Sequence, residues 1–320
     1  MPSTHLNRSS ASSALASAIQ RLSAGADPRQ LADSLNIPEE HLAAAAEAYH
    51  AAGLAALDDR TDRSWYQAHI EWADWSEADK IATSELLPIM TKLEAAEAIT
   101  AWWFIRKHPH WRFRIAPTPA HTESVRIRLE ETLVNLLNTG HTTAWFATRY
   151  EPETAAFGGR TGMAIAHRLF TTDCRHILQP SHPAAALGIR ETSLLLCNSL
   201  HEGAGLDWYE RGDVWRRVAE LRPLDPAITG QQLEKLSHDV KSLLRTGAAA
   251  LRLPHLTSWA TAFYNTGNDL SEAATTGELH RGLRATMAHH VIFHWNRLGL
   301  PAHVQALLSH TAAMAILQDD

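Results

Sequence analysis

WWFIRKHPHWRFRI, residues 102–115, decides the fold. It reads as a tight β-hairpin. Successive side chains of a strand point to opposite faces, so His110, Arg112 and Arg114 share one face while Trp111, Phe113 and Ile115 share the other. One face is suited to a core and the other is cationic. Two arginines roughly 7 Å apart on a rigid strand, beside a histidine, form a site able to grip a carboxylate or a developing enolate.

Working outward, residues 65–72 alternate apolar Tyr66, Ala68, Ile70 and Trp72 with polar Gln67, His69 and Glu71, the period-two pattern of a half-buried strand. A helix is expected over about 76–99 and another over 122–138, followed by a strand at 144–150. Beyond it the pattern is helical at 161–170, 184–203, 207–221, 229–246, 255–277, 279–298 and 301–317. The expected fold class is α+β, a mixed or antiparallel sheet covered by helices.

Toward the N-terminus, residues 1–12 are small and polar and are expected to be disordered. Three helical runs follow between Leu15 and Leu57, broken at Gly25 with Asp27-Pro28 and at Asn36 with Pro38. They resemble a helix-turn-helix bundle, but the last run, PEEHLAAAAEAYHAA, carries acids and no lysine or arginine with which to read DNA. A packing or partner-docking module fits better. The charged stretch DDRTDR at 58–63 acts as a linker, giving an appendage over 1–62 and a main domain over 63–320.

The 320 residues, 45% hydrophobic, are enough for an ample core. No apolar run is long enough to span a membrane and the N-terminus lacks a hydrophobic signal core, so a cytoplasmic location is expected. Cys174 and Cys197 offer neither a disulfide framework nor a metal knuckle and read as buried thiols. A net charge of −6 argues against a broad nucleic-acid surface while leaving room for a local cationic pocket.

Two further segments carry candidate chemistry. In RYEPETAAFGGRTGMAIAHRLFTTDCR (149–175), Gly158 and Gly159 allow a tight turn before a helix, so Arg149 and Glu153 can stand at the mouth of a cleft. A solvated structural loop is the competing reading. No Gly-Lys-Ser/Thr or strict glycine fingerprint supports nucleotide binding. In LRATMAHHVIFHWNRLGLP (283–301), Leu283, Met287, Val291, Trp295 and Leu298 form the apolar stripe of a helix, with His290, His294 and Arg297 on a neighbouring face. Two imidazoles at that spacing suit a metal, but no third ligand is identifiable. A hydrogen-bonded core histidine is one reading of His294 and a general acid or base the other. No Gly-x-Ser-x-Gly elbow points to a serine hydrolase.

Taken in order, the Trp65 strand, WWFIRK with HWRFR, YEPE with FGG and HRLFTTD, and HWNRLGL resemble the C-terminal domain of lantibiotic dehydratases, the thiopeptide-type bacteriocin biosynthesis family, over roughly residues 64–316. That resemblance implies glutamate elimination from glutamylated Ser or Thr of a ribosomal precursor peptide, giving dehydroalanine or dehydrobutyrine. It implies no metal or organic cofactor and the elimination part made as a separate protein. The implied partners are the glutamylated peptide and a tRNA-dependent glutamylating dehydratase, with no direct nucleic acid or membrane contact; a homodimer is the candidate self-assembly.

On the family pattern, Arg112, Arg114 and His294 are the expected catalytic residues. The arginines are assigned to carboxylate or enolate stabilisation and His294 to proton transfer, with Arg149, Glu153, His110 and Arg297 as substrate-binding residues. Ala156 stands where many members carry arginine, and Arg149 and Arg160 are the candidate replacements. That departure leaves two alternatives open: a pyridine synthase, which uses the same fold for an aza-[4+2] cycloaddition with leader release, and a non-catalytic scaffold for a partner dehydratase.

Overall fold

The computed structural model describes residues 4–63, 65–179, 187–246 and 254–318. The chain divides into two compact units, with the boundary after Arg63. The first contains α1 (Thr4–Ser23), α2 (Pro28–Leu35) and α3 (Glu39–Arg63). Asp27 caps α2 by accepting from Arg29 N at 2.9 Å, Pro28 occupies its first turn, and Asn36 ends it in a left-handed conformation (φ 53°). Ile19, Leu31, Ala32 and Leu42 close a small core. The expected disorder over 1–12 is corrected in part: α1 already includes residues 4–12, and residues 1–3 lie outside those described.

The second unit contains β1 (Tyr66–Trp72), α4 (Ala78–Ile81) running through a π turn (Ala82–Leu86) into α5 (Leu87–Ala95), and the hairpin β2 (Ile99–Lys107) and β3 (His110–Pro117). Next come α6 (Thr122–Asn138), β4 (Thr142–Thr148) and α7 (Arg160–Leu178). The remaining helices are α8 (Ile189–Gly203), α9 (Trp208–Glu220), α10 (Gly230–Thr246), α11 (Pro254–Thr275), α12 (Leu283–Leu298) and α13 (Ala302–Leu317). Among the described residues no helix is long and apolar enough to cross a membrane. The fold is α+β, as the pattern predicts, and the sheet is wholly antiparallel in the order β2-β3-β1-β4.

Register fixes the two faces. Arg112 lies opposite His69 and Ile105, and Arg114 opposite Gln67 and Trp103, so one face carries the polar row. The other carries Ile70, Trp102, Phe104, Trp111 and Phe113, all fully buried. Helices α5 and α6 attend the apolar face: Trp102 Nε1 donates to Glu94 of α5 at 2.9 Å, and Tyr66 OH to Glu130 of α6 at 3.0 Å. The polar face is covered on its β2 side, where Trp103 packs on Phe170 of α7 (4.7 Å) and approaches Phe293 of α12 (6.4 Å). Toward β4 it is open: Phe146, 45% exposed, stacks on His69 at 4.7 Å. A half-roofed sheet is therefore the frame of the site.

Gly158 and Gly159 hold φ at +83° and +102°, which L side chains rarely adopt. The turn docks on the segment before α12, where His280 N donates to Gly158 O at 2.7 Å. A Cβ at Gly158 would lie 2.6 Å from Leu279 Cδ1.

Burial pushes three histidines, His167, His201 and His290, down to about 3. They stay neutral in the folded unit while the unfolded chain takes up protons near 6.5, so between those values the unfolded state binds more protons and stability falls with falling pH. Each can contribute up to ~1.4 kcal/mol per pH unit in that window. The denaturant midpoint of this unit is expected to drop steadily from pH 7 to pH 5, and less steeply in His201→Phe; a flat profile would contradict the neutral burial of these rings.

Candidate active site

Arg114 is the centre of the polar face. Its Nε donates to Gln67 Oε1 at 2.6 Å, and its guanidinium lies 4.0 Å from the Trp103 ring centroid and 4.5 Å from that of Tyr150. Gln67 is itself fixed, its amide nitrogen donating to Thr148 Oγ1 at 2.6 Å and to Arg149 O at 3.3 Å. Tyr150 OH meets His167 Nε2 at 2.8 Å, and Trp65 packs on both rings. The result is a guanidinium only 3% exposed, with no carboxylate at ion-pair distance and no hydrogen-bond partner for Nη1 among the described residues. Burial lowers it to about 10, still charged at neutral pH.

Around it lie Arg112, Lys107 and His69 on the sheet and Glu153 on the loop entering α7. Glu153 is half-buried, with Oε2 enclosed and unpartnered, and its charge acts on Arg114 and Lys107 and, across the cleft, on His289 of α12. Burial first and Arg112 next lower His69. Burial likewise lowers His289, whose Nδ1 lies 3.2 Å from Ala285 O. With Nδ1–H donating to that carbonyl, Nε2 is left as the basic nitrogen. His110 sits at the hairpin end, 3.7 Å from Glu71 and edge-on to His69 and Phe146.

The expected residues therefore divide. Arg112, Arg114 and His110 share the polar face, and Glu153 faces it from the loop. Arg149 lies at the exposed end of β4, its carbonyl serving Gln67. His294 and Arg297 are placed apart from these: both are completely buried, on α12 against Asp173 of α7. His294 Nδ1 bonds Asp173 at 2.9 Å, and Arg297 Nε donates to Asp173 at 2.7 Å. Trp259 Nε1 donates to the same carboxylate at 2.8 Å. Burial would raise the Asp173 carboxyl, but the charges and hydrogen bonds of His294 and Arg297 outweigh it and hold it at about 2. Beside these bonds, His294 Nε2 and Arg297 Nη1 and Nη2 are buried with no hydrogen-bond partner among the described residues.

Two residues that the sequence did not single out, His289 and Arg281, are coupled to the group around Glu153. His289 was passed over for its neighbours because helical spacing alone does not tell which of 289, 290 and 294 faces a cleft. Arg281 approaches Ala156, its Nη1 donating to Ala156 O at 3.2 Å, and its charge acts on His289. No composition signal marked Arg281. Both cysteines are buried and free, as expected, and among the described residues no three metal-ligating side chains come together.

Residues 65–316 match the family described as lantibiotic biosynthesis dehydratase C-term, and the chain belongs to that family. Its fold is similar to that of the tRNA-dependent lantibiotic dehydratase MibB from Microbispora sp. 107891, with TM-score 0.60 and 16% identity over 80% of this chain. The chain spans 28% of that dehydratase. It is also similar to the pyridine synthase TbtD from thiomuracin biosynthesis, with TM-score 0.59 and 17% identity over 80% of this chain and 98% of that one. TsrL gives TM-score 0.52 and 15% identity over 79% and 95%. At these identities the likeness is one of fold. No curated protein matches the chain.

The two buried arginines should respond oppositely to substitution. Asp173→Asn leaves Arg297 buried without its counter-charge and is expected to cost about 3–5 kcal/mol in urea unfolding. Arg114→Met removes a desolvated cation that has no counter-ion and is expected to leave the midpoint within about 1 kcal/mol of wild type or raise it. A large loss in Arg114→Met would make Arg114 a structural residue.

Proposed function

We propose that this domain eliminates glutamate from glutamylated Ser or Thr residues of a ribosomal precursor peptide. The observation that carries the reading is the Arg114 guanidinium: desolvated, held in place by Gln67, Trp103 and Tyr150, and without a carboxylate partner among the described residues. Burying such a charge is unfavourable for folding unless an anion uses it. A glutamyl ester supplies one, as an enolate-like intermediate and then as the departing carboxylate.

In the reaction a base takes the Cα proton, the electron pair forms the Cα–Cβ double bond, and the Cβ–O bond breaks to release glutamate. Arg114 and Arg112 stabilise the anionic oxygens. Proton transfer is assigned to His289 in place of the enclosed His294; burial first lowers its imidazole, on which the charges of Arg281, Arg222 and Glu153 also act. Glu153 and Arg281 set the field around that imidazole. The substrate is the already glutamylated peptide, and the elimination itself calls on no tRNA or ATP.

A second reading, cycloaddition by a pyridine synthase, is favoured by one observation: the histidine of HWNR does not reach the cleft, so this motif does not argue for elimination. Mass spectrometry separates the two. A purified glutamylated precursor incubated with the protein alone is expected to lose glutamic acid at each modified residue. Release of the leader from an already dehydrated peptide, with glutamyl esters left intact, would establish cycloaddition instead.

Arg112→Ala and Arg114→Ala are expected to lower kcat by about a hundredfold or more, and Arg114→Lys to restore little, since lysine lacks the fork that bonds Gln67 and an anion together. The acid limb of kcat/KM should fall below about 6.5 as His289 protonates, and His289→Asn should abolish that limb. An unchanged profile in His289→Asn would remove its assigned role.

A further inference from the structure

A second cation is held in place away from the polar face of the sheet. Arg222 lies just beyond α9; its Nε donates to Gln305 Oε1 of α13 at 2.8 Å and its Nη1 to Leu221 O at 2.9 Å. Gln305, 3% exposed, is fixed in turn, its Nε2 donating to Asn296 Oδ1 at 3.0 Å and to Leu300 O at 2.7 Å. The backbone is anchored as well: Arg222 N donates to Ala219 O at 3.0 Å, and His310 Nε2 lies 3.2 Å from Arg222 O. This guanidinium has no carboxylate at ion-pair distance among the described residues, and burial lowers it with no opposite charge to offset the effect.

Arg222 lines a pocket of about 640 Å³ together with Trp75, His108, Leu300 and Pro301. The rings of Trp75 and His108 pack with centroids 5.3 Å apart. A smaller pocket of about 410 Å³ adjoins it through Arg222, Pro223 and Ala302. Of the other charged groups, Arg106 pairs with Asp79 at 2.9 Å. Asp225 borders only the smaller pocket, and its Oδ1 accepts from Ala227 N at 2.9 Å. No side chain caps α13, so its start at Ala302 adds a positive helix end to the same space.

We propose that this pocket binds a carboxylate on Arg222, with the aliphatic part of the ligand against Leu300, Pro301 and the Trp75 indole. The planar guanidinium fork matches a carboxylate, and one unmatched cation suits one negative charge. A dianionic phosphate would bring a second charge toward Asp79 and Asp225. The carboxylate can belong to an acidic side chain of a peptide or to a free amino acid such as glutamate. The pocket shares no residue with the site around Arg114, but the charge of Arg222 acts on Lys107 and His289 there. An anion seated on Arg222 therefore weakens that influence without occupying the sheet site.

Binding is read by calorimetry on the full chain carrying Arg114→Met, which takes away the central cation of the sheet site. The probes are an end-blocked Leu-Glu-Leu peptide, its Leu-Gln-Leu counterpart, sodium glutamate and inorganic phosphate. Expected is binding of at least one carboxylate probe, about tenfold or more tighter than Leu-Gln-Leu, and loss of that preference in Arg222→Gln. Trp75→Ala, at a side chain 37% exposed, is expected to weaken the same probe and keeps the test sound if Arg222→Gln misfolds. Binding of Leu-Glu-Leu without glutamate makes an acidic side chain the ligand; binding of glutamate alone makes it the free amino acid; binding of both leaves the carboxylate as the determinant. Failure of both carboxylate probes to bind, a preference that survives Arg222→Gln, or tighter binding of phosphate would each overturn the proposal.

Discussion

An unpaired guanidinium held out of water is the constraint on which the second unit turns. Arg114 stays charged while nearly sealed, and every neighbour contributes to that state: Gln67 fixes one edge, Trp103 and Tyr150 take its faces, and Glu153 acts at a distance without bonding it. Those neighbours come from β1, β2 and the loop before α7, so the hairpin, the strand order and the glycine turn at 158–159 are all needed to assemble them. The cost of the buried charge is met by the aromatic core behind it.

That core holds a second buried arginine with the opposite logic. Arg297 has its carboxylate, Asp173, and shares it with His294 and Trp259. Its guanidinium lies 4.2 Å from Phe170, which packs on Trp103, which packs on Arg114. Two cations thus flank two aromatic rings, one beside a carboxylate and the other with none at ion-pair distance among the described residues. This contrast ties the helical layer to the sheet: a shift of α7 against α12 moves Phe170 and with it the wall behind the site. The family relationship gives the fold its context.

The hairpin and its two faces were legible in the sequence because period two admits one assignment once the strand is recognised, and Arg112 and Arg114 followed from it. The helices were legible from their apolar stripes; α8 begins at Ile189, and residues 184–186 of the expected run lie outside those described. α12 was harder. It is buried on most of its circumference, including His290, His294 and Arg297, so polarity did not mark its solvent side, and the partner of His294, Asp173, lies 121 residues earlier. Arg281 was invisible for a similar reason: its meeting with Ala156 depends on the loop before α12 docking on the glycine turn. Pairings set by tertiary packing between distant segments leave no local pattern to read.

The most direct measurement of the central claim is nitrogen-15 NMR of the arginine side chains while a non-eliminable amide analogue of the glutamylated peptide is titrated in. The account predicts that the Arg114 Nε–H resonance, already protected by Gln67, shifts and its Nη protons become slowly exchanging as the analogue saturates, while Arg297 remains unchanged. Saturation of the analogue with the Arg114 resonances unmoved would contradict it.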